Sequence, residues 1–179
     1  MEISAEGLAL IKRSEGLRLK AYPDPASGGD PWTIGYGTTE GVYPGLVIDE
    51  ADAERRLMKA VAEFVVMVDA GCPGIFDPNH HAAFVSFAFN MGPGAKDVKD
   101  GFMTLRNGNV PSIRRLYNAG NWRAAADEFP KWANPPLPGL VIRRARERNL
   151  FLGRDWRAIP DGNEPNALAV ARAHNAVPA

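Results

Sequence analysis

A single cysteine, Cys72, stands in a chain of 179 residues. It leaves no intrachain disulfide and no structural thiolate metal site, so the fold rests on packing alone and suits a reducing cytoplasm. Histidine is scarce too, and the adjacent pair His80-His81 points about 100° apart on a helix, which does not chelate a metal. No apolar run approaches the roughly 20 residues needed to cross a bilayer, so no stable membrane insertion is expected. The first residues, MEISAEGLALIKRSEG, start acidic and lack the charged-then-apolar pattern of an export signal. Net charge is absent, with 21 Lys/Arg against 21 Asp/Glu; no nucleic-acid partner is expected. There is no internal repeat or low-complexity run.

What is present is an ordinary globular composition, 45% hydrophobic and 23% charged. That is enough for one sizeable core or two small lobes. The charges divide unevenly. Residues 1–70 carry 7 Lys/Arg and 12 Asp/Glu, and residues 71–179 carry 14 and 9. Such an asymmetry can steer an anionic polymer into a cleft, or it can mark no more than solvated Arg-rich helices.

The segment from Ser14 to Thr39, SEGLRLKAYPDPASGGDPWTIGYGTT, concentrates the chemistry. Glu15 ends an amphipathic helix, where the dipole opposes a negative charge and so favours a general acid. Asp24 lies nine residues later between two prolines, rigid and suited to positioning a water. Thr33 sits on a strand between Trp32 and Ile34 and points to the opposite face from both. Two carboxylates on different elements with a hydroxyl nearby are what acid/base hydrolysis of a glycosidic bond requires. Each also has a plainer reading: Glu15 as a surface partner of Arg18 or Arg13, Asp24 as a turn residue, Thr33 as a strand former. Asp30 in Gly-Asp-Pro fits the description of Asp24 equally well. The cluster Arg143, Arg144, Arg146 and Arg148 reads first as a solvated face, with one Arg able to pair with Glu15.

Along the chain, Ser4 caps a helix carrying Leu8, Leu10 and Ile11, stopped at Gly16. Residues 17–45 read as a small antiparallel sheet including Val42 and Tyr43, with Ser27-Gly28-Gly29-Asp30 as the hairpin tip. From Asp49, the stripe Leu57, Val61, Phe64, Val65 and Val68 predicts a helix of about twenty residues, ended by Gly71 and Pro73. Asp77-Pro78 opens an apolar helix through Met91. Further helices are expected near 102–107, 111–119 and 121–129, and from Pro138 to about Leu152. The segment after Gly153 reads as an appendage outside the core.

Taken together, SEGLRLKAY, YPDP, WTIGYG, FVSFAFNMG, NAGNWRAAADEFPKW and LPGLVIRRARERNLFLG resemble the phage-type lysozymes, the endolysins of glycoside hydrolase family 24. The likeness covers residues 4–153. It implies an α+β, mainly α-helical, lysozyme-like two-lobed fold within a single catalytic domain, 1–153. A small β-hairpin lobe (about 15–48) would be joined by a long helix (about 49–70) to a larger helical lobe (about 73–153, with the N-terminal helix). Residues 154–179 would form a C-terminal extension. The implied activity is hydrolysis of the β-1,4 bond between N-acetylmuramic acid and N-acetylglucosamine in peptidoglycan, causing host cell lysis. By matching position Glu15 is the general acid, Asp24 the opposing carboxylate and Thr33 its helper. Thr39, Phe89, Asn90 and Ser112 fall where substrate is contacted, and Arg143 where an Arg pairs with the catalytic Glu.

The expected protein is a monomer without metal or organic cofactor, acting on the glycan strand by inversion. It would accumulate in the host cytoplasm and reach the wall through a holin-like pore. This chain departs from the family pattern in its longer Asp24–Thr33 segment and in Thr38, where many relatives carry His. The rival readings are a lytic transglycosylase, which uses one Glu and forms a 1,6-anhydro product, and a non-catalytic wall-binding module.

Overall fold

The structure is a computed structural model and describes residues 1–24 and 27–176. Its elements, in chain order, are helix α1 (Ala5–Glu15), strands β1 (Arg18–Tyr22) and β2 (Thr33–Gly35), and helices α2 (Glu50–Gly71), α3 (Pro78–Met91), α4 (Ser112–Asn118), α5 (Trp122–Ala126), α6 (Pro138–Phe151) and α7 (Ala167–Asn175). Short 3-10 turns occupy Phe129–Trp132 and Trp156–Ala158. This is an α+β architecture dominated by helix. The chain gathers into two compact units, one of Ile11–Phe64 and one of Met1–Leu10 with the chain from Val65 onward. No helix among the described residues is long and apolar enough to cross a membrane.

The Ile11–Phe64 unit is built on a two-stranded antiparallel sheet. Arg18 pairs with Gly35 and Tyr22 with Thr33, and the register shifts between them. Val42 and Tyr43, expected in the sheet, lie outside its strands. The second backbone partner of β1 is the segment after them: Ala21 donates to Leu46 O (2.9 Å) and Ile48 to Leu19 O (3.0 Å). Asp49 caps α2 by accepting the Asp52 N–H at 2.7 Å. The buried stripe of α2 includes Ala53, Leu57 and Val61, and continues to Val68 in the other unit.

The helical unit centres on α3, whose first turn is capped by Asp77 through the N–H groups of Asn79 and His80. Phe84 meets Tyr117 (5.0 Å between ring centroids), Phe151 (5.3 Å) and Phe102 (5.6 Å). The first of these pairs is edge-on and the other two are tilted, and such ring pairs hold an apolar centre together. The C-terminal carbonyl of α2 is satisfied by a cation and an amide: Gly71 O accepts from Arg114 Nε at 3.2 Å and from Asn118 Nδ2 at 3.0 Å.

Three expectations require correction. Residues 102–107 are not helical, because their N–H groups go elsewhere. Phe102 donates to Gly92 O (2.8 Å), Met103 and Thr104 to Pro93 O (2.9 and 3.1 Å), and Leu105 to Asn109 O (2.9 Å). The residues after Gly153 are not outside the core, since Ile159, Ala167 and Ala171 share a buried cluster with Val141, Ile142 and Ala145 of α6.

The Arg run of α6 is not a solvated face either. Arg143, Arg144, Arg146 and Arg148 are all buried, together with Glu147 and Asn149. Arg146 donates to Ile159 O, Pro160 O and Asp161 Oδ1 at 2.7–2.8 Å. Arg148 donates to Asp127 Oδ1 and His174 O, each at 2.6 Å. The C-terminal segment thus accepts hydrogen bonds from two of the four arginines, Arg146 and Arg148.

Candidate active site

Glu15 is the last residue of α1. Ser4 opens that helix, accepting the Gly7 N–H at its hydroxyl (3.3 Å), and Gly16 closes it in a left-handed conformation (φ 71°). The stop exposes the Glu15 side chain and turns the chain into β1. The WTIGYG segment then folds into a tight hairpin: Ile34 donates to Thr38 O (2.9 Å) and Thr38 to Ile34 O (3.0 Å). Gly37 lies in that turn at φ 95°. A Cβ added to it would sit 3.8 Å from Glu15 Oε2. The glycine therefore brings bare main chain up to the carboxylate.

Lys12, one helical turn before Glu15, pairs with Glu54 of α2 and its ammonium lies 5.9 Å from the Tyr36 ring centroid. The end of α1, the start of α2 and the hairpin are tied at this point. Gly37 and Lys12 were not among the residues singled out by sequence. The i,i+3 spacing of Lys12 and Glu15 was the available signal for the second; nothing local marked the first.

Asp24 follows β1 and is locked by its own turn. Its Oδ1 accepts the Ser27 N–H at 3.0 Å, its carbonyl accepts from Gly28 (2.8 Å), and its N–H donates to Gly29 O (3.0 Å). The N–H three residues on thus holds the short carboxylate against the main chain. In the expected hairpin tip, Ser27 lies in a turn and Gly28, Gly29 and Asp30 in a bend. Asp30 is more exposed, and what Ser27 Oγ contacts is its carbonyl, at 2.8 Å, rather than its side chain. Pro25, the second proline flanking Asp24, lies outside the described residues. Thr33 pairs with Tyr22 across the sheet, two residues from Asp24, so both sit at one end of the ladder. Thr39 is exposed just past the hairpin. Its neighbour Glu40 pairs with Lys59, which anchors the segment to α2.

In the helical unit, Phe89 is half-buried and Asn90 exposed at the end of α3. The Asn90 carbonyl oxygen accepts from Arg144, and Arg144 also pairs with Glu147. Arg143 donates to Glu147 Oε1 (3.2 Å) and Ser86 O (3.1 Å). Asn90 and Arg143 therefore belong to one network whose hub is a buried carboxylate. Burial pulls the Arg144 guanidinium below its usual range, opposed by Glu147 and abetted by Arg143. Ser112 stands apart from this network; its hydroxyl accepts from Arg115 at 3.4 Å.

His80 and His81 do not share a ligand geometry. The His80 ring stacks on Phe151 with centroids 4.0 Å apart, while His81 Nε2 lies 3.2 Å from Asp69. No group of three or more His, Cys, Asp or Glu side chains among the described residues is placed to hold a metal.

Over most of its length the chain is similar to known proteins. An endolysin of Acyrthosiphon pisum secondary endosymbiont phage 1 is 36% identical over 158 residues, covering 84% of this chain and 98% of its own. An endolysin of Bacillus phage B103 is 40% identical over 156 residues, and there the match takes in 85% of this chain but only 54% of the relative, about half its length. The crystal structure of the active form of P1 phage endolysin Lyz superposes with a TM-score of 0.71 at 30% identity, over 86% of each chain. The family model described as phage lysozyme matches residues 12–147, from just before Glu15 through Glu147. With the match spanning both units, the chain belongs to the phage lysozyme family.

Proposed function

We infer that the chain is a phage endolysin, a lysozyme-type glycosidase that degrades bacterial peptidoglycan and lyses the host cell. Membership of the phage lysozyme family carries that reading. The finer chemistry rests on the residues. Glu15 is the general acid that protonates the oxygen between N-acetylmuramic acid and N-acetylglucosamine. Asp24, with Thr33, activates a water on the opposite face of the sugar as oxocarbenium character develops, which gives inversion. The observation that supports this best is that Glu15 ends a helix against the main chain of Gly37, while Asp24 is held rigidly by Ser27. A side chain locked by a turn is pre-organised for a water, and an exposed one at a helix end is open to a leaving group.

Thr39 is proposed as a saccharide contact on the small unit, and Phe89, Asn90, Ser112 and Arg143 on the helical unit. The anchored Asn90 amide is oriented for a sugar hydroxyl or N-acetyl group. The proposed state is a monomer that accumulates in the host cytoplasm and depends on a holin-like pore to reach the wall.

Glu15→Gln keeps the shape and removes the acid. It lowers turbidity loss on outer-membrane-permeabilised cells by about 100- to 10,000-fold, the usual worth of general acid catalysis, with an unchanged circular dichroism spectrum. Lysis at the wild-type rate would overturn the assignment. NMR of the freshly formed reducing end then reads the anomer, and retained configuration would remove the inverting step. Mass spectrometry separates the transglycosylase, for which anhydro-muropeptides would be the main product.

A further inference from the structure

We propose that the helical unit carries a second binding site, for a saccharide bearing a phosphate or carboxylate group, where α5, the end of α6 and α7 meet. A cavity of about 210 Å³ is lined there by Arg123, Arg148, Arg154 and His174, with two alanines at the end of α7. Three guanidiniums and no carboxylate face it. Arg148 forms the floor, only 2% exposed. Its terminal nitrogens are held by Asp127 and His174 O, and its buried Nε has no hydrogen-bond partner among the described residues.

Arg123 and Arg154 are exposed. Among the described residues neither guanidinium has an ion-pair or hydrogen-bond partner. In this they differ from neighbouring Arg157, paired with Glu6, and Arg146, paired with Asp161. A forked guanidinium matches the oxygens of a phosphate or carboxylate in pairs.

Arg123 also lines a second cavity, of about 260 Å³, with Trp122, His80, Asp77 and Asn79. Trp122 is 54% exposed, a large apolar ring left beside a polar concavity. An indole there offers a surface for the apolar face of a pyranose. Asn79 and Asp77 supply polar groups for its hydroxyls. Each cavity is smaller than the roughly 300–1,000 Å³ of pockets that enclose drug-sized molecules. The pair therefore suits one sugar ring in the aromatic half and one acidic substituent in the cationic half, with Arg123 shared. No residue of this surface belongs to the Glu15–Asp24–Thr33 set, and the proposal does not rest on that set.

The test is a titration of the full chain read at the Trp122 indole N–H by NMR. Glucose 6-phosphate and N-acetylmuramic acid supply the two acidic substituents; N-acetylglucosamine and inorganic phosphate are the controls. The expected result is a saturable shift with at least one acidic sugar and weaker binding of neutral N-acetylglucosamine. The tighter acidic sugar identifies the substituent as phosphate or carboxylate. The double variant Arg123→Ala/Arg154→Ala, which alters exposed side chains only, binds that sugar about tenfold more weakly or worse, a loss of about 1.4 kcal/mol, with its melting temperature unchanged. Trp122→Ala, read instead at the backbone N–H signals of Arg123 and Arg154, abolishes the preference for the tighter acidic sugar over inorganic phosphate. No saturable shift with either acidic sugar, equal affinity for N-acetylglucosamine, or undiminished binding by the double variant would overturn the proposal.

Discussion

The two units treat charged side chains in opposite ways. In the Ile11–Phe64 unit, the two candidate carboxylates stand at a helix end and in a turn. Glu15 is exposed at the last residue of a helix, and the Asp24 carboxylate accepts the Ser27 backbone N–H. In the helical unit, Glu147 is fully buried and bound by Ser86, Arg143 and Arg144. A carboxylate on a turn is fixed by a few backbone contacts and still meets solvent, so it is available to a substrate. A carboxylate inside a helical core is committed to its partners, because leaving them unpaired in low dielectric is costly. The same residue type is thus open to solvent in one unit and sealed into the architecture in the other.

That contrast can be broken from either side. The largest effect after Glu15→Gln is expected at Asp24. Asp24→Asn retains an oxygen to accept the Ser27 N–H, so the turn survives and only the charge is lost. The lytic rate falls by about 100-fold or more, whereas Asp30→Asn stays near wild type. Turbidity assays that rank the two variants the other way would move the base to Asp30.

At the second level, Glu147→Ala leaves two buried guanidiniums without their common partner. It costs about 3–5 kcal/mol of stability, measured by urea denaturation. A loss below about 1 kcal/mol would mean that water reaches the cluster and that the helical unit is less dry than its burial indicates.

A smaller effect is expected at Gly37. An alanine there adopts a left-handed conformation at a cost of about 1–2 kcal/mol and puts a methyl group beside Glu15 Oε2. The lytic rate falls more than the stability does. Equal losses in both would show that the turn is structural scaffolding alone.

The smallest effect concerns pH. Desolvation lowers the pKa of His80 and His81 from the ordinary value of 6.5. The neutral rings are favoured in the folded state. Their stability contribution is full above pH 6.5 and is lost as pH falls toward the lowered folded values. His80→Phe preserves a ring against Phe151 and removes one of the two protonations, so melting temperature declines less steeply with acidification below pH 6.5.

Local features were legible where the chain settles its own geometry within a few residues. Ser4 and Gly16 bracket α1, and Asp77-Pro78 opens α3, because caps act on N–H groups one turn away. The buried stripe of α2 follows from spacing alone. Residues 102–107 were misread because their N–H groups are taken by Gly92, Pro93 and Asn109 instead of by an internal turn. The Arg run of α6 was misread for a related reason. A charge pattern does not tell whether Glu147, Asp127 and the carbonyls after Ile159 will converge on it.

By itself the sequence determined the helical character, the caps and the glycine-rich turn at Ser27-Gly28-Gly29-Asp30, and it offered the candidate trio Glu15, Asp24 and Thr33, all from residues within a short stretch of chain. Tertiary structure decided which charges are buried, that α7 belongs to the core, and that Gly37 lies against Glu15. Those outcomes depend on residues that are distant in sequence and close in space, and no local preference encodes that proximity.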